Sequence, residues 1–177
     1  MGIRAICIAG DAGSGKTTTA REVAARLPGW SLASTGQRFR DYCRAHGIDP
    51  SQIASLPDEI HRQFDAEMRE FLASQEHVIV DGRLVCWLAG QDPRVLRVWC
   101  DAPLDVRAER YARREGIPVA AARAEIERRD RADFEKFQRL YGIDYRAPGY
   151  YDLVVDTARL SPAEVAETIL ARLRRDP

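Results

Sequence analysis

The chain has 177 residues, with 27 basic and 27 acidic side chains and a net charge of zero. A chain of this length buries about 70% of its unfolded surface, so one domain spanning 1–177 is expected, with no need of disulfides or a structural metal. The neutral balance argues against a duplex nucleic acid or an anionic membrane surface as partner, and no apolar run reaches the roughly 18 residues of a membrane span.

In chain order, Ile3–Ala9 is short, apolar and β-branched and predicts a buried strand that begins at once, with no leader before it. A glycine-rich turn follows, then helical spacing over Lys16–Leu27, stopped by Pro28-Gly29. Trp30–Ala33 predicts a second strand. Gln37–Ala45 and Asp58–Ser74 predict helices, and His77–Asp81 a third strand that ends on an acid. Val95–Cys100 is the fourth strand. Leu104–Glu115 is an arginine-dense helix broken at Gly116-Ile117-Pro118, and Ala120–Leu140 is a second charged helix. Asp152–Asp156 is the fifth strand. Ser161-Pro162 opens the last helix, with serine as N-cap and proline in the first position. Strands alternating with helices predict an α/β fold, a parallel sheet covered on both faces. Two segments, about 34–75 and about 112–130, are too polar for the core and are expected to be flaps over a site. Cys7, Cys43, Cys86 and Cys100 form no C-x-x-C pair and are expected to be free, buried thiols in a reducing cytoplasm.

Gly10, Asp11, Ala12, Gly13, Ser14, Gly15, Lys16 and Thr17 satisfy G-x-x-x-x-G-K-[ST], between a predicted strand and a predicted helix. The glycines let backbone N–H groups converge on phosphate oxygens, and the helix adds its positive end. Lys16 can reach the β- and γ-phosphates, and the Thr17 hydroxyl can bind Mg²⁺. A GTPase is set aside, because Lys136 lies between Glu135 and Phe137 and leaves no Asn-Lys-x-Asp motif. Protein-kinase signatures are absent, and the dinucleotide fingerprint fails at Ala12.

A small-molecule kinase must hold two polyanions together, which calls for cations on both sides. Only two of the 27 cations are lysines. Arginine presents a planar fork suited to phosphate, although biased composition is the main account of arginines on the surface. Three constellations offer the cations. Ser34-Thr35-Gly36-Gln37-Arg38-Phe39-Arg40 is either a hydroxyl–arginine pair for one ligand or an ordinary helix cap. Asp81-Gly82-Arg83 ends a strand, where the acid can hold Mg²⁺-bound water and the arginine a phosphate; its alternative is a polar turn. Arg107, Arg110 and Arg114 share one helical face, as do Arg129, Asp133 and Lys136, against the alternative of solvated faces carrying i,i+4 pairs.

The order of these motifs, continued by Arg129-Asp130-x-x-Asp133, Tyr141-Gly142-Ile143-Asp144 and Asp152-Leu153-Val154-Val155-Asp156-Thr157, resembles the short archaeal-type cytidylate kinases over essentially the whole length. The resemblance implies a three-layer, doubly wound, five-stranded parallel core of the nucleoside-monophosphate-kinase type, with an acceptor flap and a lid. It implies ATP-binding by Gly10 through Thr18, with Lys16 and Thr17 serving ATP and Mg²⁺ and Asp81 acting through water. Thr35, Arg40 and Arg83 would hold the acceptor phosphate of CMP or dCMP, Arg129 and Asp133 the ribose, and Asp81 is also placed among the acceptor-binding residues. Arg107, Arg110 and Arg114 would clamp the transferring phosphoryl group. Threonine at 35 replaces the more usual serine, Lys136 replaces an arginine, and the long insertion of the bacterial form is missing, so no base-reading residue is assigned. A monomer is expected. The rivals are a kinase of the same fold for UMP, AMP or a non-nucleotide metabolite, and a regulatory module that binds nucleotide without transfer.

Overall fold

The computed structural model describes residues 2–49 and 56–175. Its strands β1 (Ala5–Gly10), β2 (Ser31–Ser34), β3 (Val78–Asp81), β4 (Val95–Asp101) and β5 (Leu153–Asp156) form one sheet in the order β2-β3-β1-β4-β5, parallel at every pairing. The expected five-stranded parallel core is therefore present. Its helices are α1 (Lys16–Arg26), α2 (Thr35–Ala45), α3 (Asp58–Ser74), α4 (Val85–Leu88), α5 (Leu104–Glu115), α6 (Val119–Tyr141) and α7 (Pro162–Arg175).

β1 lies at the centre, and all six of its residues are buried. Strand alternation divides them between two cores. Ala5, Cys7 and Ala9 pack with Tyr42 of α2, Phe64, Met68 and Leu72 of α3, and Phe137 of α6. Ile6 and Ile8 pack on the opposite face with Ala20 and Val23 of α1 and Ile169 of α7. These two layers of helix make the sheet doubly wound. All four cysteines are buried and unpaired.

The structure shifts several sequence-drawn boundaries for local reasons. β1 begins at Ala5 because Arg4 is buried, with its guanidinium on the carbonyls of Leu72 and Gln75 and on Asp92 at 2.7 Å. α2 begins at Thr35, two residues ahead of the periodic pattern. α4 was not predicted: one turn of four apolar-rich residues carries no readable period. Ser161 and Glu164 close a reciprocal capping box at the start of α7, as the serine predicted.

The sheet register fixes where the motifs meet. Ser34 pairs with Asp81, and Asp81 with Ile8. The carboxyl ends of β2, β3 and β1 thus lie side by side, and the segments 34–40, 81–83 and 10–17 emerge together, as a parallel sheet requires of a site at strand ends. The segment 34–75 is α2 and α3, of which 50–55 lies outside the described residues; 112–130 is the end of α5 and the first half of α6.

Candidate active site

The loop between β1 and α1 wraps tightly because its glycines are needed. Gly13 has φ +78°, and a Cβ there would lie 2.8 Å from the Arg107 carbonyl oxygen. Lys16 Nζ donates to the Asp11 carbonyl oxygen at 2.8 Å. Burial, then the nearby Arg83 charge, lower its ammonium to about 8. Thr17 Oγ1 donates to Asp81 Oδ2 at 2.7 Å.

Ser14 Oγ, Thr35 Oγ1 and Asp81 Oδ1 are buried with no hydrogen-bond partner. Buried polar atoms are nearly always satisfied, so three orphans around one cradle mark a place built for a ligand. Ser34 stands at the N-cap of α2 but makes no side-chain capping bond, and the next hydroxyl, Thr35, is the orphan. Gly82 permits this approach: a Cβ there would lie 2.7 Å from Thr35 Cβ and closer still to its Oγ1.

A cleft of about 840 Å³ opens from the cradle between α2–α3 and α5–α6. Lys16, Thr17, Thr35, Arg40, Asp81, Arg83, Arg114, Arg129 and Asp133 all line it. Arg40 accompanies Gln37, to which it donates at 2.8 Å, and Arg114 pairs with Glu115 at 2.7 Å. Arg107 and Arg110 are turned elsewhere. Arg107 is buried and donates to the carbonyls of Ala102 and Ala12 and to Asp130 Oδ2 at 2.7 Å. Arg110 donates to Thr157 Oγ1 at 3.1 Å and to its carbonyl oxygen at 2.5 Å, beside Gly15.

Arg83 is held by Asp130 at 2.7 Å, Asp133 at 3.0 Å and Asp11 at 3.6 Å. Burial opposes its charge, but Asp133, Tyr145 and Asp130 outweigh it and raise its pKa. Burial likewise raises the Asp130 carboxyl, while Arg107, Arg83 and the Ala12 N–H together hold it below the usual carboxylate range. Asp133 is lowered too, its burial outweighed by Arg83 and Lys136.

The sequence reading gave no role to Asp130, Tyr145 or Arg146. Asp130 accepts from Ala12 N–H at 3.2 Å and bridges Arg83 to Arg107, fastening α6 to the cradle. Tyr145 O–H donates to Asp11 Oδ1 at 2.7 Å, and Arg146 reaches the same carboxylate at 3.2 Å. A signal existed for Asp130, an acid inside the Arg-Asp-x-x-Asp motif; for Tyr145 there was only its position just past the Tyr-Gly-Ile-Asp run.

Asp81 Oδ1 and the Thr17 hydroxyl are oxygen donors beside the cradle, the chemistry that suits a hard divalent cation or its bound water. Among the described residues no cluster of three acidic, histidine or cysteine side chains could hold a metal by itself.

Residues 31–159 match the cytidylate kinase-like family. A cytidylate kinase of Natronomonas pharaonis is 38% identical over 167 residues, 93% of this chain and 86% of that protein. One from Methanopyrus kandleri is 35% identical over 188 aligned positions, 97% of this chain and 96% of that protein. Among solved structures, shikimate kinase from Acinetobacter baumannii in complex with shikimate is similar with TM-score 0.67 at 18% identity, covering 98% of this chain and 94% of that one. A gluconokinase from Sinorhizobium meliloti 1021 is similar with TM-score 0.62 at 23% identity, covering 97% and 92%. These two likenesses concern the fold; the sequence matches go further, and on them the chain belongs to the cytidylate kinase-like family.

Proposed function

We propose that the chain transfers the γ-phosphoryl group of ATP to CMP and dCMP, giving ADP and the corresponding diphosphate. The observation that supports this is one cleft lined by Lys16 and Thr17 on one side and by Thr35, Arg40, Arg83 and Arg129 on the other, which we read as two anion sites. A module that only bound one nucleotide would not need the second.

In this reading the loop Gly10–Thr18 takes the donor phosphates, with backbone N–H groups and Lys16 on the β- and γ-oxygens. Thr35, Arg40 and Arg83 take the acceptor phosphate, and Arg129 with Asp133 the ribose. Thr17, with Asp81 through water, would hold Mg²⁺, which when bound offsets charge on the phosphate oxygens. The acceptor oxygen is already anionic, so in-line attack on the γ-phosphorus needs no strong general base. Catalysis is then positioning and charge neutralisation in a site that closes against water. Arg114 on the cleft wall neutralises charge on the transferring group, and Arg110 does so on releasing Thr157. Arg107 is better read as a positioning residue, since it holds the Ala12 carbonyl and Asp130. The segments 34–75 and 112–130 act as acceptor flap and lid.

The test is ADP release with ATP, Mg²⁺ and, separately, CMP, dCMP, UMP, AMP, GMP and dTMP. Preference for CMP and dCMP is expected. Equal turnover of UMP would widen the acceptor class to pyrimidine monophosphates, and silence with all six would overturn the nucleotide reading. Lys16→Ala should lower kcat by about 10²–10³-fold, the usual cost of losing one such charge contact, with the fold intact by circular dichroism. A variant that kept most of its rate would refute the cradle assignment.

A further inference from the structure

On α3, His61, Phe64, Met68 and Leu72 are buried along one helical face, and Asp65, next to Phe64, lies on that face as well. A stripe of this kind calls for apolar residues throughout. Phe64, Met68 and Leu72 comply and join the core, whereas His61 and Asp65 face the cleft instead.

Their surroundings suit a planar aromatic ring. Phe39 stacks on His61 with centroids 5.3 Å apart and meets Phe64 at 4.7 Å; Phe137 lines the cleft nearby. Two polar groups within an aromatic-walled slot is the chemistry that reads a nucleobase, stacking on its faces and hydrogen bonding at its edge. Asp65 Oδ2 accepts from Tyr141 O–H at 2.6 Å, which fixes the carboxyl, and Oδ1 accepts no bond from the described residues. Burial raises the Asp65 carboxyl above its ordinary value, and the Tyr141 bond and the Lys136 charge offset that rise only in part. Burial and then Lys136 lower His61, which keeps its ring neutral with one N–H to donate.

The slot also lies in line with the phosphate anchor. Arg83 pairs with Asp133 at 3.0 Å and Asp133 with Lys136 at 2.9 Å; Lys136 acts electrostatically on both His61 and Asp65. Phosphate, sugar and base positions thus follow one another along α6 toward α3.

We propose that Asp65 and His61 are the base-reading residues of the acceptor site, Asp65 accepting the exocyclic amino group of cytosine and His61 donating to a ring acceptor. This rests on the CMP and dCMP reading above. Uracil presents a carbonyl oxygen where cytosine presents the amine, so the Asp65 carboxylate would face an acceptor with an acceptor and reject it.

The test is a cycle of side chain against substrate. Wild type and Asp65→Asn are compared with CMP, with UMP and with the CMP analogue that carries hydrogen in place of the 4-amino group. Wild type should lose about 10–100-fold in kcat/KM on removal of the amine, the usual worth of one edge-specific contact. In Asp65→Asn that loss should shrink to under about threefold, and the CMP-to-UMP ratio should fall by a similar factor, with the KM for ATP unmoved. Tyr141→Phe, which frees the Asp65 carboxyl without removing it, should give a smaller drop in the same ratio and serves if Asp65→Asn does not fold. Equal losses for all three acceptors, or no change in the ratio, would overturn the assignment of Asp65 while leaving the CMP kinase reading intact. A wild type that does not turn over CMP would overturn both, and the first row of the same assay reports it. His61→Ala should lower kcat/KM for CMP and for the analogue alike, because its partner is a ring atom common to both; a fall with CMP alone would contradict its role.

Discussion

Lys16 is held in a position that water would not choose. Burial and Arg83 bring its pKa to about 8, so part of the population is neutral just above that pH. Phosphate oxygens in the cradle restore the charge, so ATP binding at pH 8.5 should take up about half to one proton, while binding at pH 6.5 takes up none at this group. Calorimetry in buffers of different ionisation enthalpy reads this, and Lys16→Met should abolish it. The effect on stability has a defined sign. Between about pH 8 and the ordinary lysine value of 10.5 the unfolded chain keeps a proton that the folded one has lost, so this lysine makes stability rise with pH across that window. The sequence named Lys16 from its motif alone. It did not name Asp130, because nothing in a run of charged helix says which carboxylate will be buried between two arginines and the Ala12 N–H. Nor could it pair His61 with Phe39, 22 positions apart and on separate helices.

The helical spacing of Arg107, Arg110 and Arg114 was correct as geometry, and the three diverge in use. Each level of α5 meets a different neighbour: the Ala12 carbonyl and Asp130 at Arg107, Thr157 at Arg110, and the open cleft at Arg114. A periodic pattern gives the face of a helix and leaves open what lies across from each turn. The same holds for the strand-end turn at Asp81-Gly82-Arg83. Its glycine was legible as a turn residue, but its φ is not in the left-handed region, and what excludes a side chain is Thr35 on the neighbouring strand's helix. Gly82→Ala should therefore displace Thr35 and raise the KM for CMP at least about tenfold, leave the KM for ATP unchanged, and cost about 1–3 kcal/mol of stability as an overpacked contact. Steady-state kinetics with each substrate varied, together with urea unfolding, check both parts. Equal rises in the two KM values would contradict the placement of Thr35 on the acceptor side.

Across the whole molecule, the four thiols report how the fold opens. Burial pushes Cys7 up to about 12 and Cys100 up to about 11, and raises Cys43 and Cys86 as well, so none is a ready nucleophile in the folded state. Cys7 and Cys100 lie in β1 and β4, inside the sheet, and Cys86 lies in α4 against them. Modification by an aromatic disulfide at pH 8 should reach these three only through global unfolding. Cys43 lies in α2, which can lift without breaking the sheet, and should react first. Nucleotides at about 100 times their Kd should slow the three core thiols about 100-fold, the rate equivalent of ~2.7 kcal/mol of linkage. Mass spectrometry of the labelled peptides gives the order of reaction, and early labelling at Cys7 or Cys100 would contradict it. By itself the sequence determined the glycine-rich loop between the first strand and helix, the strand and helix alternation and the buried thiols, since each depends on spacing within about twenty residues. Only the tertiary structure decided the order β2-β3-β1-β4-β5, and with it the meeting of Thr35, Asp81 and Lys16, the burial of Asp130 and the aromatic slot that holds His61 and Asp65. Those depend on which distant segments bury surface against one another, a free energy shared by the whole chain and written in no local stretch of it.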